Sequence, residues 1–357
     1  MKKRMISITL CFVIAMLGLT GCNKASKIST SSTDSSDISS AVQEEKAIVN
    51  PFSGMPVEDE ESLLNRPVAV MVNNVKAALP QRGIADADII YELPVEGSIT
   101  RMMAVFSDYK KLPDIGSVRS ARHDYVELIT PYQPIYLHVG GSPKGKESIK
   151  ANNIDDIDGL ALAGSAFYQD KERLKTYSSE HTWFTNLDCF NKGIEKTKYK
   201  TTIEKPINPI FTFAKPTEDV MATNAQAVDT VKASVKMSTS CIATFDYDAQ
   251  TGLYKKGQYG QPHMDSAKNA AVAVKNVLVM YTNVGLVPNS KNKEIDLSKG
   301  TGYYLSNGKR TDVTFAKPTV GDNLKVMDSS GKEITLNAGQ TWVCIAPDTY
   351  KNDIVFA

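Results

Sequence analysis

Two arginines and a histidine stand within five residues of one another, at positions 119, 122 and 123 of the segment 114-DIGSVRSARHDYVELI-129. Guanidinium groups and the free backbone N–H groups of a helix start both bind phosphate or carboxylate. Positive side chains beside the positive end of a helix dipole are unfavourable unless an anion offsets them. The segment therefore predicts a negative counter-charge, supplied by the protein's own acids or by a bound anion.

The apolar residues of this segment recur at helical spacing and predict the element that carries the basic groups. Ser117 is a suitable N-cap for a helix from Val118 to about Thr130, and Pro131 would end it. On such a helix Arg119, Arg122 and His123 would share one face, with Ser120 beside them.

Acidic residues lie at the ends of nearby predicted strands, and two interpretations of them are open. In the first, Glu92, Glu96 and Asp108 pair with the arginines, and Glu96 pairs across the chain with Arg101. In the second, the arginines face an open ligand site. Glu92 and Glu96 lie about 13 Å apart if extended, too far for a carboxylate pair, unless a turn brings them together for acid–base chemistry.

Two histidines are further candidates for a ligand site. His138 ends an apolar strand and precedes 140-GGS-142, the kind of strand end at which α/β proteins bind ligands. His181 lies beside Trp183 and Phe184, which could form the wall of a pocket. For each, packing within the core is the alternative. The pair His263 and Asp265 lacks a third ligand, so no metal site is predicted.

The motifs of nucleophilic and nucleotide-dependent enzymes are missing from the sequence. It contains no GxSxG, HExxH or GxxxxGK[ST]. The two SxxK matches lie in polar, turn-rich surroundings without companion motifs. We predict no cofactor, and we favour a protein that is not an enzyme.

The N-terminus has the pattern of a secretory signal. Lys2, Lys3 and Arg4 precede an apolar stretch too short to span a bilayer comfortably, followed by 19-LTGC-22. This site resembles the lipobox of bacterial lipoproteins. The resemblance implies removal of residues 1–21, a diacylglycerol thioether on Cys22 with fatty acids such as palmitate, and a location on the outer face of the cytoplasmic membrane. An ordinary secretory signal is the alternative.

Composition divides the rest of the chain. Residues 22–50 include 29-STSSTDSSDISS-40 and read as a flexible tether behind the lipidated cysteine. Residues 51–205 alternate predicted strands and helices. Residues 206–218 form a Pro-rich connector. Residues 219–357 are rich in hairpin signals, including Asn307-Gly308.

These patterns predict an α+β protein, with a mixed α/β N-terminal domain followed by a mainly antiparallel β C-terminal domain, as a sandwich or barrel. Two further helices are expected at about 144–152 and 188–199. Cys189, Cys241 and Cys344 have apolar neighbours and read as small core residues, although one disulfide among them is possible on sequence grounds.

The charge balance argues against nucleic acid as a partner. The chain has 41 Lys and Arg and 40 Asp and Glu. Without the three basic groups of the first 21 residues, 38 basic residues face 40 acidic ones. Such a chain has no global positive field.

Six segments together resemble the YerB-like bacterial lipoproteins: RPVAVMVNN (66–74), ADADIIYELPVEGSITRMMAVF (85–106), GSVRSAR (116–122), IYLHVGGSP (135–143), NVLV (276–279) and GQTWVCIAP (339–347). They occur in the family's order across roughly residues 50–350. The resemblance implies a lipobox followed by two domains of unassigned function. It implies no particular reaction.

Two hypotheses for function follow. The favoured one is a lipid-anchored binding or scaffold protein that accepts an anionic envelope ligand, or a protein partner, in a cleft of the N-terminal domain. The other is a cell-envelope hydrolase or transferase using His/Glu acid–base chemistry in the same cleft. The candidate site residues are Glu92, Glu96, Thr100, Arg101, Arg119, Ser120, Arg122, His138 and His181, besides the lipidation site Cys22.

Overall fold

The computed structural model describes residues 48–357. The predicted signal peptide, Cys22 and most of the predicted tether lie outside this range. Within it, no helix has both the length and the apolar character needed to cross a bilayer.

The N-terminal half alternates short strands with helices. Its strands are β1 (Val68–Asn73), β2 (Ile89–Pro94), β3 (Thr100–Phe106), β4 (Ile115–Gly116), β5 (Ile135–His138), β6 (Asp156–Asp158), β7 (Tyr168–Gln169) and β8 (Trp183–Thr185). Its α-helices are α1 (His123–Ile129), α2 (Pro143–Ala151) and α3 (Leu187–Thr197). Short 3-10 helices occupy Glu60–Leu64, Lys76–Ala78, Ile84–Asp86, Glu96–Ser98, Tyr109–Lys111, Thr130–Tyr132, Arg173–Lys175 and Ser179–His181.

The C-terminal half is built from strands. They are β9 (Thr212–Phe213), β10 (Val228–Asp229), β11 (Lys232–Lys236), β12 (Ile242–Asp248), β13 (Leu253–Gln258), β14 (Gln261–Pro262), β15 (Met264–Asp265), β16 (Ala270–Ala271), β17 (Ala273–Val274), β18 (Asn276–Thr282), β19 (Val284–Leu286), β20 (Lys293–Ile295), β21 (Lys299–Ser306), β22 (Lys309–Ala316), β23 (Lys325–Met327), β24 (Thr335–Leu336), β25 (Thr341–Pro347) and β26 (Val355–Phe356). A 3-10 helix, Asp348–Asp353, lies between the last two.

Local capping explains where two of the helices begin. The Ser142 side chain accepts a hydrogen bond from the backbone N–H of Gly145 (3.0 Å), and Pro143 occupies the first turn of α2. The Asn186 side chain accepts from the backbone N–H of Cys189 (2.9 Å) at the start of α3. The helices predicted near 144–152 and 188–199 are thereby confirmed.

One large sheet crosses both halves of the described chain. Its strand order is β10-β22-β21-β18-β25-β2-β3-β1-β5-β6, and β23 pairs with β22. The halves join where β2 runs parallel to β25, with Ile89 opposite Thr341 and Glu92 opposite Cys344. A second sheet has the order β14-β13-β12-β11-β26, with β17 beside β13.

Strand directions gather polar residues at one edge of the large sheet. Strands β1, β5 and β6 run parallel to one another, as do β2, β25 and β18. Antiparallel β3 lies between β1 and β2, so both parallel sets point the same way. The carboxyl ends of these strands and the amino end of β3 therefore share an edge.

Two apolar cores flank the large sheet. The first fills the space between the two sheets and includes Val70, Trp342 and Phe245. The second lies on the opposite face, where Met71 and Tyr125 of α1 are members. The continuous apolar runs of β1 and β3 are fully buried, as expected for strands covered on both faces.

The fold class is confirmed as α+β, with a mainly antiparallel C-terminal half. The turn at Asn307 and Gly308 is confirmed, with φ of 48° and 71° between β21 and β22. The expectation of a separate C-terminal sandwich is wrong, because β18 and β25 extend the N-terminal sheet. The segment 324–336 also turns back on itself at Ser330 and Gly331: Met327 lies antiparallel to Glu333, and the backbone N–H of Ile334 donates to Val326 O (2.9 Å). The domain boundaries stay a prediction.

The three cysteines of the described residues are free and buried: Cys189, Cys241 and Cys344. Burial raises the pKa of the Cys241 thiol to about 12, and the neighbouring charge of Glu92 acts in the same direction. The prediction of small core residues is confirmed.

Candidate functional site

The segment Gly116–Arg122 crosses the polar edge of the large sheet in an extended conformation. The backbone N–H of Arg119 donates to Met71 O (2.9 Å), and that of Ala121 donates to Gly140 O (2.9 Å). The predicted helix start at Val118 is therefore wrong: α1 begins at His123, with Arg122 as N-cap. The backbone N–H groups that would form hydrogen bonds within a helix are bonded to carbonyls of neighbouring segments instead.

A turn between β2 and β3 brings an acid back over the same edge. Glu96 begins the 3-10 helix Glu96–Ser98, in which Gly97 has a φ of 74°. An L side chain rarely adopts this conformation, so glycine suits the turn. The turn delivers the Glu96 carboxylate to the arginines.

Two buried arginines converge on that single carboxylate. The Arg122 Nε donates to Glu96 Oε2 (3.0 Å), and a second, shorter bond joins its NH2 to Glu96 Oε1. The Arg101 NH2 lies 3.7 Å from Glu96 Oε1, and its NH1 donates to the Ser120 carbonyl (2.7 Å). Only 3% of the Arg101 surface is exposed. In the described chain, Glu96 is the one acid within ion-pair distance of either guanidinium.

These groups shift one another's proton affinity. Partial burial acts to raise the pKa of Glu96, but the hydrogen bonds and charge of Arg122, with the charge of Arg101, lower it to about 2. Burial and the positive charge of Arg122 lower the pKa of Arg101 to about 10, and Arg119 acts in the same direction. Within the cluster of Glu96, Arg101 and Arg122, two positive charges therefore face one negative charge.

Arg119 and His181 lie beside this cluster in a separate arrangement. The Arg119 NH1 donates to Glu180 Oε2 (2.9 Å), while its buried Nε has no hydrogen-bond partner. Asn73 Nδ2 donates to His181 Nδ1 (2.8 Å). Burial, with the charges of Arg119 and Arg173, lowers the pKa of His181 against the opposing effect of Glu180.

His138 is 1% exposed and bonded on both ring nitrogens. Nδ1 lies 2.8 Å from Gly140 O, and Nε2 lies 3.0 Å from Asp156 Oδ2. These bonds position the loop after β5.

Glu92 and Thr100 belong to a sealed network between the two sheets. Glu92 is fully buried and accepts hydrogen bonds from Asn74 Nδ2 (2.9 Å), Thr100 Oγ1 (2.8 Å) and Trp342 Nε1 (3.1 Å). The Nζ of Lys256, whose side chain is 0% exposed, lies 3.7 Å from Glu92 Oε2. This ion pair joins the two halves of the chain.

The candidate residues therefore divide into groups and do not line one shared cleft. Glu96, Arg101, Ser120 and Arg122 come together. Arg119 and His181 both lie beside the Glu180 carboxylate, His138 pairs with Asp156, and Glu92 and Thr100 are enclosed in the core.

Sequence reasoning missed several partners of these groups: Lys256, Trp342, Asn74, Glu180, Asp156 and Asn292. Most are distant in sequence from the residues they contact. One of them had a local signal in the sequence. Lys256 lies two residues after buried Tyr254 in β13, so the two side chains lie on the same face of the strand.

A second polar cluster lies at the start of α1. His123 Nε2 lies 3.2 Å from Glu294 Oε2, and the Asp124 carboxylate accepts from the backbone N–H of Ile295 (2.9 Å). Burial raises the pKa of Asp124 to about 7, and the charges of Glu127 and Glu294 add to this. Burial and the charge of Lys144 lower the pKa of His123.

Two cavities of more than 600 Å³ have no arginine among their lining residues. One, of about 650 Å³, is lined by Glu127, Glu294, Lys317 and their neighbours. The other, of about 620 Å³, is lined by Met221, Asp328 and their neighbours. The His263–Asp265 pair is structural: His263 Nε2 bonds Gln81 Oε1 (2.8 Å), and the Asp265 carboxylate accepts from three backbone N–H groups.

Family models match both halves of the chain. The model described as "Protein of unknown function (DUF3048) N-terminal domain" matches residues 52–200. The corresponding C-terminal domain model matches residues 233–343.

A sequence and a crystal structure from Bacillus subtilis extend the match to nearly the whole length. A Bacillus subtilis protein with the name "Putative lipoprotein YerB" is 29% identical over 350 residues, covering 98% of this chain and 96% of its own length. The crystal structure of YerB protein from Bacillus subtilis matches with a TM-score of 0.74 and 26% identity. It covers 87% of this chain and 99% of that one.

Proposed function

Because the chain belongs to the family of YerB-like lipoproteins, we propose that it is a lipid-anchored binding or scaffold protein of the bacterial cell envelope. Its N-terminal half accepts an anionic group at Arg101 and Arg122. The observation that carries this proposal is the charge ratio: two buried guanidinium groups share one carboxylate, Glu96. A phosphate or carboxylate of the ligand supplies the missing negative charge, and Arg forks bind such groups bidentately.

Glu96 is the part of the site that a ligand can replace. Its side chain is 29% exposed, whereas those of Arg101 and Arg122 are 3% and 10% exposed. A carboxylate on a turn moves more readily than guanidinium groups enclosed by the sheet edge. Glu96 therefore acts as an internal substitute for the ligand anion.

The binding interpretation is preferred to a hydrolase or transferase. A general acid works best with a pKa near the operating pH. Glu96, with a pKa of about 2, stays a carboxylate. Glu92 is fully buried, so it cannot touch a substrate.

Removing the internal carboxylate is expected to strengthen anion binding. Glu96→Gln leaves both guanidinium groups without a counter-charge, so its affinity for inorganic phosphate should rise about tenfold or more over the unaltered protein. Arg122→Ala should abolish measurable binding. Isothermal titration calorimetry at low ionic strength measures both.

Arg82 offers a matched control for the loss of an arginine. It is partly buried but balanced by two carboxylates, at 3.0 Å from Asp114 and 2.7 Å from Asp170. Arg82→Ala should leave phosphate affinity unchanged. Equal losses in the Arg82 and Arg122 variants would count against a specific anion site.

The membrane anchor is tested separately. Cys22→Ala should abolish labelling by radioactive palmitate and leave the signal peptide attached, because the thioether at this cysteine precedes cleavage after Gly21. Persistent labelling of the variant would show that another residue carries the lipid. The same labelling on the unaltered protein is the positive control.

A further inference from the structure

A two-stranded arm from the C-terminal half lies against the arginine–glutamate cluster. The arm, residues 284–295, consists of β19, β20 and their connecting loop, with Val284 opposite Ile295. Its Asn292 Nδ2 donates to Glu96 Oε2 (3.2 Å). The same oxygen accepts the bond from Arg122 Nε. One carboxylate oxygen thus holds both an arginine of the N-terminal half and the arm.

The remaining anchors of the arm are mostly polar and lie on the helix starts. Lys144 Nζ donates to Glu294 Oε1 (2.6 Å), and His123 Nε2 lies 3.2 Å from the other oxygen of Glu294. The backbone N–H of Ile295 donates to Asp124. Two apolar residues of the arm reach the core: Ile295 is buried in it, and Val284 packs against it.

The arm also has space beside it. The cavity of about 650 Å³ separates Gly285, Leu286 and Glu294 from Glu127 of α1 and from Lys317. Leu286 is 58% exposed, so the end of the arm is not packed into the core. Few apolar contacts and an adjacent cavity are the conditions under which a segment can move without disrupting the fold.

We propose that the arm is a strap over the anion site, closed while Asn292 bonds Glu96 and released when an anion displaces Glu96 from Arg122. This inference rests on the proposed function. The coupling is direct, since Glu96 cannot leave Arg122 with that oxygen without breaking or moving its bond to Asn292. Binding in the N-terminal half thereby changes the exposed surface of the C-terminal half.

Hydrogen exchange of the full-length protein, followed by mass spectrometry with and without inorganic phosphate, tests the strap. Phosphate should accelerate exchange of the backbone amides in 284–295. Asn292→Ala should exchange rapidly there without phosphate, and it should bind phosphate about threefold to tenfold more tightly, because closure no longer competes. Lys291→Ala, at an exposed neighbouring position, should behave like the unaltered protein.

The outcomes separate the strap from the anion site. Phosphate binding that requires Arg122 but leaves exchange of the arm unchanged would overturn the strap and leave the site standing. If phosphate does not bind, both the anion site and the strap are overturned. This holds even if the Glu96→Ala substitution accelerates hydrogen exchange of the arm. Acceleration by phosphate in the unaltered protein, absent in Arg122→Ala, supports both.

Discussion

Replacing Lys256 with methionine is expected to lower the free energy of unfolding by about 3–5 kcal/mol. Methionine fills nearly the same volume, but it removes the charge that faces Glu92 at 3.7 Å in a site where both side chains are 0% exposed. The Glu92 carboxylate would be left buried without its ion-pair partner. Its hydrogen bonds from Asn74, Thr100 and Trp342 would offset part of this cost.

Equilibrium urea unfolding of the purified protein measures this effect. Lys255→Met is the matched control, because Lys255 is the adjacent residue of β13 with a side chain 54% exposed. Its change should be much smaller. The double variant Glu92→Gln/Lys256→Met should be more stable than the two single effects predict. A loss below about 1 kcal/mol for Lys256→Met would contradict a structural role for the pair.

The second large effect is expected at Asp124 and depends on pH. Its pKa of about 7 in the folded protein lies above its ordinary value of 3.8. At a pH between 3.8 and about 7, Asp124 therefore keeps its proton in the folded protein but has lost it in the unfolded chain. The stability that this proton provides is complete below about pH 4 and is lost as the pH rises through about 7.

Asp124→Asn carries no titrating group and should not show this loss. Its unfolding free energy minus that of the unaltered protein should grow by about 3–4 kcal/mol between pH 4 and pH 8, at about 1.4 kcal/mol for each pKa unit. His123 is present in both proteins, so the difference reports chiefly on Asp124. Glu147→Gln, on the exposed face of α2, is the control. A difference that stays flat across this range would contradict the buried acid.

Local signals in the sequence predicted local elements well. The runs that became β1, β2, β3 and β5 combine apolar residues with Pro, Gly, Asn and Asp at their ends, and α2 and α3 have side-chain caps. Asn307-Gly308 specified its turn through the positive φ that both residues tolerate. Each of these depends on contacts within a few residues.

Contacts between distant segments were beyond this reasoning. Nothing near β25 indicates that it lies beside β2, 250 residues away at Trp342 and Glu92. This pairing joins strands of the two halves in one continuous sheet. The apolar residues from Val118 onward have helical spacing, yet the backbone N–H groups of Arg119 and Ala121 bond strand and loop carbonyls instead. Tertiary hydrogen bonding overrode local periodicity there.

The sequence predicted some of the residues of the candidate site but not how they are arranged. Pairing of Glu96 with Arg101 and a counter-charge for Arg122 were both expected, and both are present. Glu92 and His138 were also expected to lie near these groups, but in the structure each has other partners. Glu92 points into the core between the sheets, where Lys256 from the other half neutralises it.

The most direct test of the anion site is a crystal structure of the protein soaked in selenate, with the anion located by its anomalous scattering. We predict selenate within hydrogen-bond distance of both Arg101 and Arg122, with Glu96 displaced from its present position. The account would be contradicted if selenate bound only elsewhere. It would also be contradicted if no selenate bound and Glu96 stayed paired with Arg122 in crystals whose solvent channels reach this site.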